Sequence, residues 1–197
     1  MGTTACWTVG FMEQQSAEIA RRLRSGDPDV VEFLMEQYQF RLFRYLLFLT
    51  GNREAAEDLF QETWVRVLER GSQYNGRWRF ESWLFSISRH LFIDRLRQKK
   101  PVSLEALTDA EPGNFEVEAT DTPSPFDLLS ASQENLRVAE ALKRLPAVYR
   151  EVLALRFQEE LSLEEIAAVV GAPASTVKSR LYRGLEALRP MLEGDRT

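Results

Sequence analysis

The sequence predicts an all-α protein, two small helical bundles joined by a flexible acidic linker, the C-terminal one with a helix-turn-helix. Three observations predict it. Apolar residues recur at three- and four-residue spacings through 29–98 and 132–192, and no strand-like alternation occurs anywhere. Gly26, Gly51, Gly71 and Gly171 each follow directly on a periodic stretch, where helices end. Between the periodic regions, 101–130 carries Pro101, Pro112, Gly113, Pro123 and Pro125 with no sustained period, which marks a linker.

Residues 1–26 read as a tail ending in a short helix, 16–25, with Met12 as good a biological start as Met1. The first domain, 27–100, opens with a helix over 29–50, with Phe33, Leu34, Tyr38, Leu42, Tyr45 and Leu49 inward and Gly51 as left-handed cap. A second helix, 54–70, sets Ala56, Leu59, Phe60, Thr63 and Val67 inward and Asp58, Gln61, Glu62, Val65 and Glu69 outward. A polar and aromatic loop, SQYNGRWRF, leads to a third helix, 80–98, whose core stripe is Trp83, Leu84, Ile87 and Leu91. Its end is basic, with Arg95, Arg97, Lys99 and Lys100, and Pro101 stops it. The linker spans 101–130. The second domain, 131–197, reads as helices over 132–145, 146–157, 162–170 and 175–192.

Composition narrows the function. One cysteine forms no internal disulfide, and one histidine, His90, leaves no metal-ligand set; neither metal nor cofactor is expected. A Cys6/His90 nucleophile pair is formally available, but Cys6 falls in the tail, and no enzyme is expected. No run of eighteen apolar residues is present, so no membrane insertion is expected. The first residues lack the cationic start of a secretion signal, and Cys6 stands where a myristoylation site needs Ser or Thr, so a cytoplasmic protein follows. The net charge of −5 looks wrong for a DNA-binding chain. It is unevenly spread: 101–130 contains seven acids and no Lys or Arg, against 25 basic and 23 acidic residues elsewhere. Such a chain should bind DNA poorly alone and need a partner to deliver it. The linker's acidity suits simple solubility or nucleic-acid mimicry in a basic channel.

The segment LSLEEIAAVVGAPASTVKSRLYRGLEAL has helix-turn-helix spacing. Ser162 and Glu165 form a capping box; Leu163, Ile166, Ala167 and Val170 give the buried face; Gly171, Ala172 and Pro173 make the turn. Ser175 opens the second helix. At about 100° per residue, Val177, Leu181, Leu185 and Leu188 share one arc. Lys178, Ser179, Tyr182 and Arg183 share the opposite one, with the chemistry of a major-groove reader, and Arg180 lies beside it, suited to a phosphate. The motif alone also suits a stand-alone helix-turn-helix regulator.

In the first domain the loop 74–80 sets aromatics beside Arg77 and Arg79, a pairing suited to single-stranded DNA, where bases stack on rings and cations hold phosphates. Trp78, between two arginines, is the better candidate for exposure; Phe80 suits stacking or the core equally. The basic run from Arg89 to Lys100 can track a duplex backbone, and the acidic face of 54–70 suits a basic protein partner.

EAAEDLFQETWVRVLE, FESWLFSISRHLFIDRLR and the helix-turn-helix segment, in that order around an acidic linker, resemble the extracytoplasmic-function group of bacterial sigma factors over 29–192. The resemblance implies a factor that binds RNA polymerase core, recognises a bipartite promoter and opens it, with no catalysis of its own. Asp58, Gln61, Glu62 and Val65 match positions that dock on the clamp coiled coil of the largest subunit. Arg77, Trp78, Phe80, Trp83, Arg89, His90, Asp94 and Arg97 match the minus-ten reader. Ser175, Thr176, Lys178, Ser179, Arg180, Tyr182 and Arg183 match the minus-thirty-five reader. Members are commonly held inactive by an anti-sigma factor. The linker would thread toward the RNA exit path. His90 stands where many members carry Asn, which bears on the preferred minus-ten base.

Overall fold

The computed structural model describes residues 4–99 and 144–193, together with 137, 138, 141 and 142. Among these residues every regular element is helical: α1 (Thr4–Arg24), α2 (Pro28–Thr50), α3 (Arg53–Arg70), a 3-10 turn (Gly71–Gln73), α4 (Phe80–Lys99), α5 (Ala147–Phe157), α6 (Leu163–Val170) and α7 (Ala174–Glu193). The expected all-α class is what the chain adopts. The linker 101–130, most of the expected helix 132–145 and Lys100 lie outside the described residues.

Local chemistry sets the helix ends. Asp27 accepts a hydrogen bond from the Asp29 N–H, with Pro28 in the first turn, and Asn52 accepts from the Ala55 N–H at the start of α3. Gly51 closes α2 at φ 61°, a backbone state that costs an L side chain about 1–2 kcal/mol. Gly71 follows α3 for another reason. It is right-handed at φ −55°, and an added Cβ would lie 3.2 Å from Leu23 Cδ2. Its missing side chain lets α1 approach.

That approach is the first departure from expectation. The N-terminal helix begins at Thr4 rather than at residue 16, and Ile19, Ala20 and Leu23 are buried against the 3-10 turn and α2. Residues 16–24 therefore belong to the first module and not to a tail.

The second departure concerns α4. Its expected stripe is only partly right: Leu84 is fully buried, while Trp83, Ile87 and Leu91 are half-buried and Phe85, Ser88 and Phe92 are covered as well. A helix buried on two sides has two neighbours. Here α2 and α3 cover one flank and α6 the other. One hydrophobic cluster runs from Leu34, Leu42 and Leu46 through Phe85 to Leu155, Leu161 and Ile166. The two modules share a core.

Candidate nucleic-acid and partner interfaces

The helix-turn-helix is built as its sequence suggests. Ser162 Oγ accepts from the Glu165 N–H at 3.2 Å and Glu165 Oε2 accepts from the Ser162 N–H at 2.9 Å, closing the capping box. Gly171 takes φ 66° in the turn. On α7, Lys178, Ser179, Tyr182 and Arg183 are exposed, with Ser175 exposed and Thr176 half-buried at its start. The inward arc is rotated from the expected one. Val177, Arg180 and Gly184 are buried, whereas Leu185 is exposed beside an open apolar groove with Leu142, Leu153 and Phe157. A Cβ on Gly184 would lie 3.1 Å from Leu153 Cδ1, so the glycine lets α7 press onto α5. Arg180, expected beside the reading face, is instead 8% exposed.

The aromatic loop of the first module has a defined shape. Asn75 Oδ1 accepts from the Arg77 N–H, Gly76 sits at φ 72°, and Tyr74 donates its hydroxyl to the Trp78 carbonyl at 2.6 Å. The Tyr74 ring packs against Phe80 and Trp83, and burial pushes its hydroxyl up to about 12. Trp78 consequently faces outward beneath the Arg77 guanidinium, 5.6 Å from its ring centre. Of the two readings of Phe80, the core one holds: it is 1% exposed.

Along α4 the expected reader residues divide. His90, Asp94 and Arg97 are exposed, and Trp83 is half-buried. Arg89 is buried, and its Nε donates to Glu151 Oε1 at 2.8 Å; the same oxygen accepts from the Tyr45 hydroxyl. Position 89 lies between Phe85 and Phe92 on the inward side, where the chemistry of the side chain does not show in the period. Lys99, at the end of α4, is helical, and its side chain lies outside the described residues.

On α3, Asp58, Gln61, Val65 and Glu69 are exposed and Glu62 half-buried, one continuous outward face that also presents Leu68. Arg95 reaches across from α4 to Asp58 at 3.4 Å and Glu62 at 3.8 Å.

The pairing of three carboxylates of the second module with the first escaped sequence reasoning. Glu159 accepts from Arg41 Nε at 2.7 Å and Arg44 Nη2 at 2.6 Å, Glu151 from Arg89, and Glu165 Oε1 from Arg79 Nε at 3.1 Å and Ser82 Oγ at 2.9 Å. A signal existed for one of them. Glu151 shares its arc with Val148, Val152 and Leu155, and an acid on an apolar arc calls for a buried partner.

No described helix is long and apolar enough to cross a membrane, and the described residues hold no group of three or more His, Cys, Asp or Glu poised for a metal ion.

Comparison with known proteins gives concordant matches. Residues 34–102 match the family model for sigma-70 region 2, and residues 135–188 the model for sigma-70, region 4. The ECF RNA polymerase sigma factor SigW of Bacillus subtilis is 30% identical over 187 residues, covering 92% of this chain and 98% of that one. The ECF RNA polymerase sigma factor SigE of Mycolicibacterium smegmatis is 35% identical over 159 residues, covering 81% and 60%. Among solved structures, the sigma factor RpoE in complex with the anti-sigma factor NepR from Bartonella quintana superposes with a TM-score of 0.62 at 25% identity, covering 84% and 99%. CnrH in complex with the cytosolic domain of CnrY superposes at 0.63 and 22% identity, covering 91% and 98%, a likeness of fold.

Proposed function

The chain belongs to the ECF RNA polymerase sigma factors, and from that membership we propose how its surfaces divide the work of promoter recognition. Asp58, Gln61, Glu62 and Val65 on α3 dock on core polymerase. Trp78 and Arg77, with His90, Asp94 and Arg97 along α4, engage the minus-ten strand. Lys178, Ser179, Tyr182 and Arg183 enter the major groove at the minus-thirty-five element, with Ser175 and Thr176 at the helix start.

The observation that carries this reading is the pairing of an outward aromatic under a guanidinium with a capped helix-turn-helix whose cations face solvent. The first suits a base drawn from the stack, since rings stack on any base while cations hold its phosphates. The second suits duplex DNA. The polymerase performs the chemistry, so the factor needs no catalytic residue or cofactor. The expected domain division at 27–100, 101–130 and 131–197 suits that scheme once Ile19, Ala20 and Leu23 of α1 are counted with the first domain. A cytoplasmic location follows from the same role. Because the RpoE and CnrH structures are complexes with an anti-sigma factor and a cytosolic domain respectively, an inhibitory polypeptide is a further proposed partner.

Run-off transcription with purified core enzyme on a promoter library tests the proposal. Initiation at selected templates is expected; none above core alone on any template would overturn it. A stand-alone regulator would instead bind a specific duplex tightly without polymerase.

A further inference from the structure

The loop that carries Trp78 is held from inside and from outside. Its ends are anchored by Tyr74 and Phe80, 2% and 1% exposed, whose rings meet edge to face at 5.6 Å. Within it, Asn75 Oδ1 accepts from the Arg77 N–H, and the Tyr74 hydroxyl donates to the Trp78 carbonyl at 2.6 Å. From outside, α1 bears on its tip. A Cβ on Gly76 would lie 3.0 Å from the Ser16 carbonyl oxygen and 3.3 Å from Ala17 Cα, so the two backbones touch. The side chain of Ser16 is buried at the same place. Burial pushes the Tyr74 phenol up, and the Ser16 hydroxyl hydrogen-bonded to it draws it part of the way back. None of these ties involves the second module.

The Tyr74 hydroxyl is surplus to packing. Its ring meets Phe80 and Trp83, and a phenylalanine ring would make the same contacts. Burying a phenol adds a desolvation cost that only a hydrogen bond offsets. The bond it donates ends on the backbone of Trp78, the residue that faces outward beneath Arg77. A loop through Asn75 and Gly76 would otherwise sample many shapes, and ordering it on contact would weaken binding. We propose that Tyr74, seated on Ser16 of α1, is a positioning residue for Trp78: its hydroxyl fixes the loop in the shape that offers the indole to an unstacked base. This rests on the reading of Trp78 given above. It also gives α1, which that reading leaves without a part, the role of a brace for strand capture.

The test uses holoenzyme assembled from core polymerase and the full-length chain, with a labelled random-sequence single-stranded DNA 12-mer as probe and core alone as baseline. Trp78→Ala should lower the factor-dependent binding about tenfold, as loss of a stacking ring does. Tyr74→Phe keeps the ring and removes the tie. Binding should then fall about threefold, in proportion to the loops that keep the competent shape, while Tm drops by no more than about 6 °C. The combined variant should bind no more weakly than Trp78→Ala alone, because Tyr74 acts through Trp78. Ser16→Ala repeats the measurement without touching the buried ring, and its loss, about twofold, should likewise vanish in the Trp78→Ala background. Wild-type binding by both Tyr74→Phe and Ser16→Ala would overturn the proposal, as would additive losses in the combined variants. A larger fall in Tm for Tyr74→Phe would make the hydroxyl a prop of the core and overturn it as well. Wild-type binding by Trp78→Ala would instead refute the reading of Trp78 itself, so the two failures are separable.

Discussion

Glu165 divides its two carboxylate oxygens between two tasks, and substitution can separate them. Oε2 accepts from the Ser162 N–H at 2.9 Å and completes the cap of α6; Oε1 accepts from Arg79 at 3.1 Å and Ser82 at 2.9 Å in the other module. Glu165→Ala removes both. The cap contributes about 1 kcal/mol. A hydrogen bond to a charged group contributes about 1.5–3 kcal/mol, and the lower end applies because Arg79 keeps Glu81 and two carbonyls. The sum is about 2.5–3 kcal/mol. Glu165→Gln can keep the cap through its amide oxygen, but it turns an NH2 toward the guanidinium, so its cost should be about 1.5–2 kcal/mol. At about 2–4 °C per kcal/mol for a chain this long, Ala should lower Tm by about 5–12 °C and Gln by about 3–8 °C. Urea unfolding followed by tryptophan fluorescence, with a double-mutant cycle against Arg79→Ala, should show coupling of about 1 kcal/mol or more. Coupling near zero would refute the tie between the modules, and equal losses for Ala and Gln would refute the cap.

The same group sets a pH dependence. Burial pushes the Glu165 carboxyl up, but the Ser162 N–H, the Arg79 guanidinium and the Ser162 and Ser82 hydroxyls outweigh it and hold the group below its ordinary value. A lowered native pKa means the contribution is present above the ordinary carboxylate pKa and is lost as pH falls through the native one. The gap between wild type and Glu165→Ala should therefore close in acid.

Gly76→Ala should cost about 2–3 kcal/mol in urea unfolding, because φ 72° is strained for an L residue and the new Cβ would lie 3.0 Å from the Ser16 carbonyl oxygen. Unchanged stability would show that α1 is not seated on the loop. Asp58→Ala with Gln61→Ala should weaken binding to core polymerase about tenfold or more, as loss of a central contact does, while far-UV circular dichroism stays unchanged; loss of helicity would refute their surface placement. Arg183→Ala should cost about 1–3 kcal/mol of holoenzyme binding to a duplex carrying the upstream element, measured by fluorescence anisotropy. An equal loss on a scrambled upstream element would point to phosphate contact in place of base readout.

Helices, caps and the outward faces of α3 and α7 were legible in the sequence because each is written within a few residues. Helical period turns Asp58 away from the arc of Ala56, Leu59 and Thr63, Ser162 and Glu165 close a box three residues apart, and Gly171 marks its turn by needing no Cβ. The exposed and buried arcs of α7 follow the helical period apart from Arg180, expected outward and buried, and Leu185, expected inward and exposed. Only the tertiary structure decided what faces what. Arg89 meets Glu151 across 62 residues and Arg41 meets Glu159 across 118, and no local spacing encodes a pairing at that distance. Periodicity shows that a helix has a face to bury, but the partner that buries it is chosen by shape and charge after the chain has closed on itself. Arg89, a base-reader candidate by position, became the buried half of an ion pair for that reason.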